Sequence, residues 1–241
     1  MKVSLTEKSS IDEIRARFDA DVERFSNLET GQSATIDAQL VLDLVARSTT
    51  LHLQPGGRIL DLGCGAGNFT LRVLQEVSPL DCDLVDLSTP MLERAYARVS
   101  DSGRAGEVAT HASDLRALDF PDQSFDAILA AAVLHHLRDD ADWEDVFTKL
   151  HRWLKPGGRL YVSDLLLFED AHIQELMWAR YGDYLVSLGG ADYRDKVFAY
   201  IEKEDSPRSL PYQLRLLDRS GFSGWEVLHR NSVFGCYVGL K

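Results

Sequence analysis

Residues 59–70 read ILDLGCGAGNFT: apolar residues interrupted by an acid, then a glycine-spaced loop, then residues that can open a helix. A glycine loop placed after a strand brings the backbone close to something small. The glycines stand at 63, 65 and 67. A dinucleotide fingerprint needs G-x-G-x-x-G. Counted from Gly63 the third glycine falls on Asn68, and counted from Gly65 it falls on Thr70. Neither register fits.

Asp61 ends the first apolar run where a pyrophosphate would approach, and like charges in a poorly solvated crevice repel. Beside an ammonium and a sulfonium the same carboxylate attracts; the plainer alternative is that it caps the next helix or binds loop amides. Asp86 closes the second run, DCDLVDL (81–87), where a carboxylate can accept both hydroxyls of a ribose. Nicotinamide and methionine-derived cofactors share that geometry. Asp114, in HASDLRALDF (111–120), follows a third strand and could accept from an adenine amino group while the Leu115 amide reads the ring. Such an Asp is also an ordinary turn residue. What singles these acids out is that three strand ends bring them to one edge of a sheet.

Upstream, Ile11, Ile14, Phe18, Val22 and Phe25 recur at helical spacing, and a second helix is expected over 34–47. From 58 onward strands (58–62, 81–87, 106–113, 125–134, 159–168) alternate with helices (71–77, one capped by Ser88 with Pro90 in its first turn, and 143–154). That rhythm indicates βαβ units and a mostly parallel sheet. Residues 169–219 read as helical throughout and rich in aromatics. The end reads as two strands joined by a turn near Arg230–Asn231. The expected organisation over 1–241 is one domain: N-terminal helices (1–50), a cofactor-binding core (57–168), a helical insertion (169–219) and a terminal strand pair (220–241).

The 241 residues carry 26 basic and 38 acidic side chains, a net charge of −12, which opposes a broad phosphate-backbone footprint and makes nucleic acid the less favoured partner. No run is long enough to span a membrane, and MKVSLTEKSSIDEIRARF lacks an apolar signal region, so a cytoplasmic location is expected. Cys64, Cys82 and Cys236 suggest neither a disulfide framework nor a metal pairing, and the scattered histidines show no ligand spacing, so no metal is expected.

ILDLGCGAG, VDLSTPML, SDLRALDFPDQSFDAILAAAVLHHL and KPGGRLYVSD together resemble the motifs of class I S-adenosylmethionine-dependent methyltransferases. The resemblance implies a Rossmann-like α/β fold: a seven-stranded, mostly parallel sheet, helices on both faces and a helical insertion late in the sheet. A closer likeness, carried by FDADVERF, FED (168–170), the insertion and SGF (220–222), is to the carboxy-S-adenosylmethionine synthase family, which works with tRNA wobble-uridine modification. On that resemblance the cofactor touches Gly63, Cys64 and Gly65, then Asp86 and Leu87, then Asp114 and Leu115. Ala131 lines its methionine side, and Gln32 stands where that family carries a tyrosine. Asp61, Gly67, Met91 and Ser113 complete the expected contacts, and the insertion is expected to pair two chains as a homodimer.

One departure matters. That family holds its cofactor's extra carboxylate with an arginine of the insertion; an ungapped count places Phe198 there, with Arg194 one turn away. A phenyl ring lacks the planar fork of a guanidinium, so ordinary S-adenosylmethionine (or S-adenosylhomocysteine as bound product) and methyl transfer to a small-molecule acceptor are favoured. The alternatives are a carboxy-S-adenosylmethionine synthase-like enzyme and a non-catalytic cofactor-binding protein, with a nicotinamide oxidoreductase more distant. Holding acceptor and methyl in line does most of the catalysis. His135 or His136, just after the fourth strand, is the candidate base if the acceptor needs one. Trp178, Tyr181 and Tyr184, three residues apart, share a helix face and read as packing residues or a pocket lid.

Overall fold

The computed structural model describes residues 7–27 and 32–241. In chain order the elements are α1 (Ile11–Ala20), α2 (Val22–Ser26), α3 (Ala38–Thr49), β1 (Arg58–Leu62), α4 (Asn68–Glu76), β2 (Leu80–Asp86), α5 (Thr89–Asp101), β3 (Ala105–Ala112), β4 (Phe125–Ala131), α6 (Asp140–Trp153), β5 (Leu154–Leu165), α7 (Ala171–Glu204), α8 (Leu210–Ser220), β6 (Gly224–Asn231) and β7 (Phe234–Leu240).

Alternation along β1 sets the layers, because successive strand side chains point to opposite faces. Ile59 joins one buried cluster, with Cys82, Leu84, Leu129 and residues of α3, α4 and α5. Leu60 and Leu62 join another, with Ile128, Val162 and the Trp143, Val146, Phe147, Leu214 and Leu217 side chains of α6 and α8. Helices therefore cover both faces of one seven-stranded sheet, in the order β3-β2-β1-β4-β5-β7-β6. β7 runs antiparallel to β5 and β6; the other pairings are parallel. The order reverses between β1 and β4, and in such sheets the crevice outside the carboxyl ends of those strands receives ligands.

Several boundaries differ from those expected. The second helix begins at Ala38 rather than 34, because Asp37 turns the chain at φ 59° and its carboxylate accepts from His229 Nε2 (2.9 Å) and Asn231 Nδ2 (2.7 Å). The fourth strand stops at Ala131, since Ala132 adopts φ 52° and residues 134–136 form a 3-10 turn. The final turn lies at Ser232–Val233, with Ser232 at φ 51°, not at Arg230–Asn231. Residues 169–219 are not one continuous helix. Gly190 (φ 81°, ψ −178°) folds α7 back on itself, so that Phe198 stacks on Trp178 at 4.8 Å, and the chain leaves the helix after Glu204.

Candidate active site

The three loop glycines are glycine for three different reasons. A Cβ on Gly63 (φ 64°) would lie 2.6 Å from Val133 Cγ2. Gly65 (φ 50°) has nothing within 4 Å of that position, because it opens onto a cavity of about 500 Å³. Gly67 caps α4, and a Cβ there would meet Val99 and Ala95 of α5 at 3.3 and 3.4 Å. Gly67 is not among the residues that line the cavity, and its close approach is to α5. A volume of this size suits a small ligand.

The other expected cofactor contacts do line it: Gln32, Asp61, Gly63, Cys64, Gly65, Asp86, Leu87, Met91, Ser113, Asp114, Leu115 and Ala131. Asp86, at the end of β2, accepts from the Gly65 amide and from the Ser88 amide, both at 2.9 Å. Burial raises its pKa. A carboxylate has about four lone-pair sites, so room remains for two ribose hydroxyls. Asp61 is 1% exposed and accepts from Thr70 Oγ1 at 2.6 Å, in the first turn of α4; the capping alternative is thus part of its role. Burial, with the Asp86 charge, pushes its pKa up to about 7. Asp114 is held by Arg116, which donates Nη2–H to Oδ2 at 2.6 Å, and Nε–H and its amide to Oδ1 at 2.8 Å. Burial works to raise that carboxyl, but Arg116 outweighs it and leaves the pKa below the ordinary range. An adenine amino group would have to share an acid that is already paired. Arg116 itself lines the cavity and was not anticipated. Burial makes the Cys64 thiol still less acidic, so its backbone is the useful part.

The folded-back α7 contributes Tyr181, Tyr193, Lys196, Val197, Tyr200 and Ile201 to the cavity wall. Tyr181 and Tyr184 donate their hydroxyls to the carbonyls of Ala34 (3.0 Å) and Ser33 (2.8 Å), fixing the segment that presents Gln32. Trp178 and Tyr184 pack against the cluster beneath, and of the three Tyr181 also lines the cavity. Phe198 turns to Trp178 and Arg194 pairs with Asp195; among the described residues no arginine of α7 lines the cavity.

His135 and His136 face the far end of the same cavity, with partners that the sequence reading missed. Asp164, fully buried at the end of β5, accepts from His135 Nδ1, from the His135 amide (3.1 Å) and from the Leu165 amide (2.7 Å). Asp205, just after α7, puts Oδ1 3.7 Å from His135 Nε2 and 3.5 Å from His136 Nδ1. Burial alone would lower the His135 pKa, but Asp164 and Asp205 hold it up at about 9. Burial and the His135 charge keep the His136 pKa far below its usual value, and burial raises Asp205 to about 6. Asp164 has a sequence signal, an acid ending an apolar strand as Asp61 does; Asp205 has none.

Residues 59–158 match a family described as a methyltransferase domain. The chain is 37% identical over 189 residues to the ubiquinone/menaquinone biosynthesis C-methyltransferase UbiE of Ectopseudomonas mendocina, covering 78% of this chain and 72% of that one. It is 28% identical over 190 residues to a carboxy-S-adenosyl-L-methionine synthase of Shewanella loihica, covering 78% and 77%. A Haemonchus contortus N-methyltransferase, solved with phosphomonomethylethanolamine and S-adenosylhomocysteine, shares the fold at a TM-score of 0.62 and 20% identity, over 91% of this chain and 46% of that one.

Proposed function

The chain belongs to the class I S-adenosylmethionine-dependent methyltransferases, and from that premise we propose that it moves a methyl group from S-adenosylmethionine to a small-molecule acceptor seated between Ala131, the histidine pair and α7. The carrying observation is the line of acids at the ends of β1, β2 and β3 around a glycine that opens onto the cavity. In the reaction the S–CH₃ bond breaks with its electron pair going to sulfur, the acceptor's lone pair forms the new bond, and any proton on the acceptor leaves to solvent. Asp86 would take the ribose hydroxyls, and Asp114 and Leu115 would meet the adenine. Asp61 would face the positively charged methionine end. His135 and His136 would orient the acceptor. We place the enzyme in the cytoplasm; among the described residues no helix is long and apolar enough to cross a membrane.

Asp86→Ala is expected to weaken S-adenosylhomocysteine binding about 100-fold, the worth of two hydrogen bonds to a charged group. Calorimetry showing unchanged affinity in a folded variant would refute the ribose role. The Asp61 reading carries a pH dependence. Below pH 7 its carboxyl is protonated and offers a cationic cofactor no charge. S-adenosylmethionine affinity should therefore fall by up to about tenfold per pH unit between pH 7 and pH 5. Asp61→Asn should flatten that profile, and a profile that stays steep in the variant assigns the titration elsewhere.

A second reading, carboxy-S-adenosylmethionine chemistry, is favoured by relatives such as that of Shewanella loihica. No arginine of α7 is in the described cavity wall, which weighs against it, whereas Lys196 puts a cation of α7 there, without the planar fork of a guanidinium. The mass of the cofactor carried through purification separates the two, since a carboxylated sulfonium is heavier. We also propose that α7 pairs two chains through its exposed Ile173, Leu176, Val186 and Leu188, and a monomer in sedimentation at micromolar concentration would sink that idea.

A further inference from the structure

We infer that His135 Nε2, His136 Nδ1 and Asp205 Oδ1 form a binding site for one divalent transition-metal ion at the acceptor end of the cavity. What the ion would do rests on the methyl-transfer reading; whether it binds does not. One ligand atom from each residue lies within 4.8 Å of the others, with His135 and His136 at 3.7 and 3.5 Å from Asp205 Oδ1. Ligand atoms held at about 2.0–2.2 Å around a tetrahedral ion stand roughly 3.3–3.6 Å apart, so small side-chain rotations would close the set.

Two of the three atoms want a partner. His136 Nδ1 and Asp205 Oδ1 are buried without any hydrogen bond, and Asp205 is only 5% exposed. A buried polar atom without a hydrogen bond costs free energy, and the 3.5 and 3.7 Å contacts among these groups are too long to be hydrogen bonds. The third ligand is oriented from behind. Asp164 takes His135 Nδ1, which leaves Nε2 as the nitrogen turned toward Asp205, as second partners of metal-bound histidines commonly do. The Ser206 amide donates to the His135 carbonyl at 2.7 Å, so the two segments are fastened together before any ion arrives. Arg17, in the cavity wall, would oppose a cation, but Glu204 accepts from its Nε (3.1 Å) and Nη2 (2.8 Å).

Two imidazoles and one carboxylate suit zinc, manganese, iron, cobalt or nickel better than magnesium, which prefers oxygen. All three residues line the cavity, so the remaining coordination positions face the acceptor. An acceptor oxygen bound there would be acidified, which would ease the loss of its proton. The implied substrate class is one that presents a hydroxyl, alone or beside a second oxygen.

The test uses the tag-free full-length chain, stripped with a chelator and titrated with Co²⁺ while its visible absorption is recorded. The expected result is d–d bands saturating at a single equivalent, with affinity at least about tenfold weaker in both His136→Gln and Asp205→Asn. No spectral change in the wild-type chain, or equal affinity in folded samples of both variants, overturns the site. Calorimetry with S-adenosylhomocysteine on the same samples keeps the two readings apart. A chain that binds Co²⁺ but not the nucleoside keeps the site and loses the proposed function; the reverse pattern loses only the site.

Discussion

Gly65→Val is expected to give a folded chain that no longer binds S-adenosylhomocysteine. No atom lies within 4 Å of the new Cβ, so the fold meets no clash, only the strain of a branched residue at φ 50°. That strain costs about 1–3 kcal/mol. The added methyls would project into the cavity where the nucleoside must approach, and affinity should drop by more than about 100-fold, some 3 kcal/mol. Gly63→Val is the contrast: its Cβ would sit 2.6 Å from Val133 Cγ2, so the fold itself should be destabilised, by about 1–3 kcal/mol or more. Thermal unfolding and calorimetry on both variants read the two effects separately. Retained nucleoside binding by Gly65→Val would remove the loop from the cofactor site.

Asp164→Ala should produce the largest stability loss among the site residues. Its carboxylate has no exposed surface, pairs with His135 and accepts two backbone amides. Removing it strands an imidazole that is 8% exposed and leaves both amides without acceptors. Breaking a buried pair of this kind costs about 3–5 kcal/mol. For a domain of this size that corresponds to a fall in Tm of roughly 6–20 °C. Asp164→Asn, which can still accept from an amide, should recover part of the loss. A Tm within about 2 °C of the wild-type chain for the alanine variant would contradict the pairing.

The parallel sheet and its ligand edge are legible in the sequence because they are local. Glycine spacing, strand-ending acids and the helix signal at Ser88 and Pro90 each act within a few residues, and Ser88 Oγ does accept from the Met91 amide at 3.3 Å. Boundaries set by distant contacts are not legible. The start of α3 is fixed by Asp37 meeting His229 and Asn231, almost the whole chain away. The cluster at the acceptor end is hidden for the same reason. His135, Asp164 and Asp205 come from a turn after β4, from β5 and from beyond α7, and no spacing rule links them. A glycine packed against a helix, as Gly67 is, and one that opens onto the cavity, as Gly65 is, look identical in a G-x-G-x-G string.

The two short helices that wall the cavity on one side are fastened differently from the sheet. In α1 only Ile14 is buried and in α2 no residue is. Polar ties help hold them, from Asn68 to the Phe25 carbonyl (3.0 Å), from Arg94 to Glu23 and from Arg17 to Glu204. Local opening draws on such weakly buried regions and leaves the rest intact. Residence time and melting temperature should thus be separately adjustable: changes at these ties reset how fast a guest departs, and changes under the sheet reset the heat it survives.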